Sequence, residues 1–130
     1  MAILDPYAYG LSDDERELAS LVRSFADERV APQAYEADRT KTLPLGLVAE
    51  MGEMGLFGLP FAEELGGQGG TYAALGLAIE ALARVDQSIA ITLEAAVSLG
   101  AMPVARFGTD AQRAELLPDL LAGRALPGFG

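Results

Sequence analysis

Residues 88–107 read SIAITLEAAVSLGAMPVARF, and this stretch decides the fold. Its only charged side chains are Glu94 and Arg106. Because a helix that is apolar nearly all round is normally surrounded by other elements, the stretch is predicted to form the central helix of a helical domain. Its length approaches the roughly 20 apolar residues that a membrane span requires. Glu94 and Pro103 interrupt the apolar run and no basic flank follows it, so a buried helix of a soluble domain is favoured over a membrane span.

The composition excludes several classes of function. A chain of 130 residues, 51% of them hydrophobic, is long enough to form one domain with its own core. Its net charge of −10 disfavours binding to nucleic acids or anionic membranes, which both need basic patches. The chain has neither cysteine nor histidine, so thiolate and Ser-His chemistry are excluded and no metal site is expected. The first residues, MAILDPYAYG, lack the features of a signal peptide, and a cytoplasmic location is expected.

The first helix has a clear start signal and a clear stop signal. Ser12 and Glu15 form a capping box, in which the two side chains satisfy each other's backbone N–H groups. The helix is expected to end near Val30, because Pro32 disfavours helical geometry in the residue before it. Residues 33–43 are mostly polar and are predicted to be a connection.

Similar signals predict the later helices. A second helix begins at Pro44, which suits a first turn, and Thr71 caps a third. Ser88 is the expected cap of the central helix, and Pro103 is expected to kink it by removing one hydrogen bond. Thr109 opens a last helix with a second capping box.

These segments predict an all-α fold, an orthogonal or up-down bundle of about six helices around the central helix at 88–107. Residues 1–10 are predicted to be an N-terminal arm that orders on contact. Residues 11–123 are predicted to form the helical domain, and residues 124–130 look extended.

The glycine-rich loop is a weak candidate for chemistry. No Lys-Ser or Lys-Thr pair follows residues 66–70, as a phosphate-binding P-loop requires, and no strand precedes them. Glu63 and Glu64 are adjacent in sequence, so they do not share a helix face and form a poor acid–base pair. A structural turn with solvated charges is favoured.

Glu94 is the more informative carboxylate, because it lies in an otherwise apolar helix. Burial raises the pKa of a carboxyl group, and some catalytic acids are made in this way. Alternatively, Glu94 faces a gap between helices or pairs with an arginine such as Arg84 or Arg106. Both interpretations are open from the residues alone, with the structural one favoured.

Three stretches, taken in order, match the pattern of a known family. They are LSDDERELASLVRSFADERVAPQAYEADR (11–39), MGEMGLFGLPFAEELGGQGG (51–70) and SLGAMPVARFGTDAQRAELLPDLLAGRALPGFG (98–130). By these stretches, which follow one another in the family's order from near the beginning of the chain to its end, the chain resembles the N-terminal helical domain of the acyl-CoA dehydrogenase family. The second stretch departs from the family pattern at Phe61 and Ala62, and the third has Arg113 at a position that is usually lysine.

The resemblance implies an FAD-dependent enzyme that dehydrogenates the α and β carbons of an acyl-CoA thioester. It also implies an electron-transfer flavoprotein as partner and a homo-oligomer. In the family, a β domain with most of the flavin contacts and a C-terminal helical domain with the glutamate base follow the helical domain. Residues 124–130 are therefore expected to be the start of a β domain that is not in the chain. No catalytic residue is expected here, Phe129 would reach the edge of the flavin site, and the chain alone is expected to be inactive and not to bind FAD.

The same resemblance implies a substrate-binding role for the central helix, whose middle forms a wall of the acyl slot in relatives. The residues that would line this slot are Thr92, Ala95, Ala96 and Leu99. Their spacing of i, i+3, i+4 and i+7 places them on one face of a regular α-helix. Alanine at positions 95 and 96 would leave room for a medium-length or branched acyl group. The alternative is that all four are ordinary helix-packing positions.

Two other functions are compatible with these residues. A related flavin-dependent oxidase or monooxygenase uses the same helical domain, and a free-standing helical interaction module would use it without flavin. The apolar tail ALPGFG argues against the free-standing module, because such a domain is not expected to leave apolar surface without a partner.

Overall fold

The computed structural model describes residues 10–128 and 130, and these residues form helices without any strand. The α-helices are α1 (Asp13–Phe25), α2 (Ala31–Thr40), α3 (Leu45–Glu53), α4 (Tyr72–Ala83), α5 (Gln87–Glu94), α6 (Met102–Phe107) and α7 (Asp110–Leu121). One π-helical turn, Ala26–Val30, joins α1 to α2, and another, Ala95–Ala101, joins α5 to α6. Two short 3₁₀ turns, Leu56–Gly58 and Glu63–Leu65, follow α3. The all-α class predicted from the sequence is confirmed.

Three predicted caps are present in the structure. Ser12 and Glu15 form the capping box of α1, with 2.9 Å from the Ser12 nitrogen to Glu15 Oε2 and 3.2 Å from the Glu15 nitrogen to Ser12 Oγ. Thr71 Oγ1 accepts a hydrogen bond from the Ala74 N–H at the start of α4, and Thr109 caps α7. Each cap acts over three residues of sequence, which is why the sequence pattern predicts it.

The start of α5 was predicted at the wrong residue. Asp86, not Ser88, is the cap, and Asp86 Oδ1 accepts hydrogen bonds from the N–H groups of Ser88 (2.7 Å) and Ile89 (3.2 Å). Aspartate and serine have similar N-cap preferences, so residue type alone does not distinguish the two positions.

The predicted end of the first helix near Val30 was also wrong, because helix continues to Thr40. Of the predicted connection at 33–43, only residues 41–43 lie outside a helix. Pro32 lies in the first turn of α2, directly after the π turn. Hydrogen bonding is already irregular in such a turn, so the N–H that proline lacks costs little there. The side chain of Gln33 donates to the Arg29 carbonyl at 3.0 Å and satisfies one of the backbone acceptors.

The core lies where α4 packs between α1 and α5, with the π turn Ala95–Ala101 and α7 packed beside them. The largest fully buried side chains are Phe57, Leu47, Met51, Leu56, Leu82, Ile89, Leu93, Leu117, Val22, Val30 and Val97. Among residues 10–128 and 130, no polar or charged side chain is buried. The core is thus held by apolar packing, and the ionic groups lie at the surface.

The helical segment 87–107, which consists of α5, the second π turn and α6 and is called the long helix below, is covered on one side only. It has the length and composition of a membrane-spanning helix, with a mean hydropathy of 1.6, but 39% of that apolar stretch is buried within the domain. Ile89 and Leu93 are fully buried, whereas Ile91 is 54% exposed and Leu99 is 42% exposed. The helix is therefore a core element whose outer side presents an apolar surface.

Candidate functional site

The four residues that were predicted to line a slot differ in their exposure to solvent. Thr92 and Ala95 are half-buried and Leu99 is exposed, but Ala96 is only 6% exposed and belongs to the core. The shared face was deduced from α-helical spacing, and the π turn changes that spacing because its hydrogen bonds join residues five apart. The grouping is corrected at Ala96, which is a packing position, and the other three are available for binding.

Ile91 is an exposed apolar residue of the same helix that was not among the residues predicted from the sequence. Its side chain is more exposed than that of Leu99, although it is large and apolar. Ile91, Ala95 and Leu99 follow one another at intervals of four along the long helix, and we refer to these three residues as the exposed stripe. The interval of four residues before Ala95 is the sequence signal that could have indicated Ile91.

Thr92 lies beside the exposed stripe with its hydroxyl group already engaged. Thr92 Oγ1 donates to the Ser88 carbonyl at 2.8 Å, which is a common bond for a threonine within a helix. The hydroxyl proton is therefore used inside the helix. Thr92 thus adds mainly its methyl group to this apolar surface, because its hydroxyl proton is not available to a ligand.

Glu94 does not pair with either of the arginines suggested by the sequence. Arg84 forms an ion pair with Asp27, and Arg106 donates to the Tyr72 hydroxyl at 2.9 Å. Glu94 itself is half-buried. The geometry thus supports neither the arginine pairing nor a fully buried carboxyl group of the kind that serves as a catalytic acid.

The glycine-rich loop is a structural turn. Its backbone N–H groups are bonded inward, from Gln68 to the Gly58 carbonyl (2.9 Å), from Gly69 to Phe61 (2.8 Å) and from Gly70 to Leu59 (2.8 Å). A phosphate-binding loop keeps such groups free for its ligand. Glu63 and Glu64 are exposed on the adjoining 3₁₀ turn.

Within the described part of the chain, no three carboxylates come together as a metal site would require. Phe129, the residue predicted at the edge of a flavin site, lies outside the described residues, as do residues 1–9 of the predicted arm. What the geometry provides is an accessible apolar surface on a well-packed helix.

Comparison with known proteins gives a consistent result over almost the whole chain. The family model described as "Acyl-CoA dehydrogenase, N-terminal domain" matches residues 12–124. The chain is 38% identical over 122 residues to a Bacillus subtilis protein named Probable acyl-CoA dehydrogenase YngJ, covering 94% of this chain and 32% of that protein.

Solved structures agree with this match. Butyryl-CoA dehydrogenase from Megasphaera elsdenii superposes with a TM-score of 0.85 at 36% identity, over 91% of this chain and 32% of that one. A glutaryl-CoA dehydrogenase from Mycobacterium smegmatis in complex with FADH2 gives 0.84 at 33% identity, over 89% and 30%. A chain from a structure of the electron transferring flavoprotein of Acidaminococcus fermentans gives 0.86 at 35% identity, over 91% and 31%. The chain therefore spans about a third of the length of the proteins that it matches.

Proposed function

The chain belongs to the acyl-CoA dehydrogenase family, whose N-terminal domain it matches, and on that premise we propose that it forms part of the acyl-chain pocket of an FAD-dependent acyl-CoA dehydrogenase. The observation that carries the proposal is the exposed stripe, Ile91, Ala95 and Leu99. Large apolar side chains are exposed here on a helix whose other side is fully buried. An apolar surface of this kind fits the hydrocarbon part of a thioester substrate.

In this proposal the helix contributes binding and alignment. Apolar contacts with the acyl chain remove water from the slot, and a water-poor site strengthens the electrostatic effects on which abstraction of the α proton depends. The small side chain at Ala95 sets the available width, while Leu99 and Ile91 provide walls. The domain supplies no base, which in this reaction would come from a carboxylate elsewhere in the enzyme.

Binding of FAD by this chain alone is not expected. None of the described residues has a buried polar side-chain atom without a hydrogen-bond partner, and the backbone N–H groups of the glycine-rich loop are bonded within the loop. A bound FAD would accept the hydride from the β carbon. The proposal assigns it to the two thirds of the relatives that this chain does not match.

The wider biological setting belongs to the same proposal. The substrate would be an acyl-CoA, the electron acceptor an electron-transfer flavoprotein, the assembly a homo-oligomer and the location the cytoplasm. The dehydrogenases among the matched proteins support the substrate class. The acidic composition supports a protein that does not bind nucleic acid.

A chimera provides the test, because it supplies the remaining two thirds from a characterised relative. Residues 12–128 of this chain would replace the matching third of the Megasphaera elsdenii enzyme, and kcat/KM would be measured with butyryl-, hexanoyl- and octanoyl-CoA. Ala95→Leu should reduce kcat/KM for the longest substrate roughly tenfold relative to the shortest, because added methyl groups displace methylenes of the acyl chain.

Ala96→Leu is the matched control, since it adds the same atoms one residue away inside the core. It should lower the unfolding free energy by about 1–3 kcal/mol and leave the ratio among the three substrates unchanged. A flavin-loaded chimera in which Ala95→Leu does not alter that ratio would contradict the proposed slot wall.

A further inference from the structure

Gly100 and Pro127 are in unusually close contact. A Cβ atom on Gly100 would stand 2.6 Å from Pro127 Cβ and closer still to Pro127 Cγ. Gly100 lies within the second π turn and Pro127 in the segment that follows α7. The proline ring therefore rests directly on the backbone of the long helix, in the space where any other residue would place a side chain.

The backbone conformation of Gly100 does not require glycine. Its φ angle is not among the positive values that occur in the chain, and glycine is a poorer helix former than alanine. Gly76, in the middle of α4, provides the comparison, because a Cβ atom there would have no other atom within 4 Å. Glycine at position 100 thus allows Pro127 to approach the helix backbone closely.

The segment that carries Pro127 is also held at its other end. The N–H groups of Arg124 and Ala125 both donate to the Asp119 carbonyl, at 2.9 and 3.2 Å, and Arg124 Nε donates to Asp119 Oδ1 at 2.8 Å. Gly123 turns the chain with a φ of 68°. The segment 124–127 is thus held at both ends, at Asp119 and at Gly100, and its Arg124 and Leu126 lie against α3.

The seat of Pro127 is next to the exposed stripe along the chain, because Gly100 directly follows Leu99. We propose that Gly100 is a positioning residue of the acyl slot: by seating Pro127 on the long helix, it holds this proline next to Leu99 as a second wall that limits the length of the acyl chain. This inference rests on the proposed function of the exposed stripe.

The first part of the test measures thermal unfolding of the 130-residue chain. Gly76→Ala should raise Tm by roughly 3 °C through helix propensity alone, whereas Gly100→Ala should lower Tm because its methyl group overlaps Pro127. Pro127→Gly removes the three ring atoms that are in the way, so Gly100→Ala should raise Tm in that background. A rise in Tm for Gly100→Ala in the native background would overturn the proposal.

The second part measures function in the chimera described above. Gly100→Ala should displace Pro127 and increase kcat/KM for octanoyl-CoA relative to butyryl-CoA at least threefold, and Pro127→Gly should give a change in the same direction. Gly76→Ala should leave this ratio unchanged, although it alters Tm.

The outcomes separate this proposal from the one on which it rests. Gly100→Ala could lower Tm in the native background and raise it in the Pro127→Gly background while the substrate ratio stays unchanged. This result would show a purely structural contact and overturn the positioning role. The acyl slot itself would still stand if Ala95→Leu changes the ratio. A flavin-loaded chimera that does not oxidise any acyl-CoA would overturn both proposals.

Discussion

Glu15 joins the starts of two helices that are distant in sequence. Its side chain accepts hydrogen bonds from the Ser12 N–H (2.9 Å) and from Thr71 Oγ1 (2.5 Å), and Thr71 Oγ1 in turn accepts from the N–H of Ala74. The bond from the Thr71 hydroxyl, followed by the bond from the Ser12 backbone, lowers the pKa of Glu15 from its ordinary value of 4.5. One carboxylate thus connects the caps of α1 and α4, whose packing forms the centre of the domain.

The acid stability of the domain should depend on this residue. Because the pKa of Glu15 is lower in the folded state, its stabilising effect is fully present above about pH 4.5 and is lost as the pH falls through the folded pKa. Glu15→Gln should therefore have a lower Tm than the native chain at pH 7, and the difference should shrink below pH 4.5. Thermal denaturation followed by circular dichroism from pH 7 to pH 3 measures it.

Two variants at Thr71 provide the control. Thr71→Ser retains the hydroxyl group and should keep the pH dependence. Thr71→Val removes it, costs about 1 kcal/mol through loss of the α4 cap, and should weaken the pH-dependent effect of Glu15→Gln. An equal pH profile in the serine and valine variants would rule out the hydroxyl group as the main cause.

The candidate site was partly predictable at the level of single residues. Leu99 is exposed and Ala95 is half-buried, whereas the neighbouring Ala96 is buried, and the exposed Ile91 was not predicted. Which side of a helix a residue occupies follows from its spacing only if the helix is regular. The π turn at Ala95–Ala101 breaks that condition, and no single residue type announces such a turn.

At the scale of elements, the two longest helical segments, 13–40 and 87–107, each contain a π turn shortly before a proline. Ala26–Val30 precedes Pro32, and Ala95–Ala101 precedes Pro103. Proline lacks an N–H group and normally interrupts the hydrogen bonds of a helix interior, but in each case it falls in the first turn of the α-helix that follows. The chain thus continues past prolines that would otherwise be expected to end or kink it.

Close packing between α3 and the end of α7 gives a prediction at this scale. A Cβ atom on Gly52 would overlap the carbonyl oxygen of Ala122, whereas one on Gly46, in the same helix, would meet no atom within 4 Å. Gly52→Ala should therefore lower the unfolding free energy by about 1–3 kcal/mol, and Gly46→Ala should raise it by up to about 1 kcal/mol. Urea denaturation of both variants measures the two effects, and a stabilised Gly52→Ala would contradict the packing described here.

At the scale of the whole molecule, the domain has a continuous apolar core and an acidic exterior. Its ion pairs are exposed, such as Arg29–Glu50, with 2.9 and 2.8 Å between the two nitrogen–oxygen pairs. Exposed pairs of this kind contribute little to stability. The uncovered outer side of the long helix is the surface feature that agrees with a binding function.

Whether the whole chain retains FAD can be measured from the absorption spectrum of the purified protein. After incubation with FAD and desalting, no flavin band near 450 nm (roughly where bound flavin absorbs) is expected, because we assign the flavin site to the two thirds of the relatives that this chain does not match. The chimera, treated identically, should retain the band and serves as the positive control. A stoichiometric band in the chain alone would show that the assignment of the flavin site to the other two thirds is wrong.

The sequence by itself determined the all-α class, the caps at Ser12, Thr71 and Thr109, and the family. These features depend on interactions within a few residues or on the order of motifs along the chain, and both can be read without coordinates. Only the tertiary structure decided the two π turns, the burial of Ala96 and the seating of Pro127 on Gly100. Each of these depends on the balance between backbone hydrogen bonding and packing against residues that are distant in sequence, and local preferences do not encode that balance.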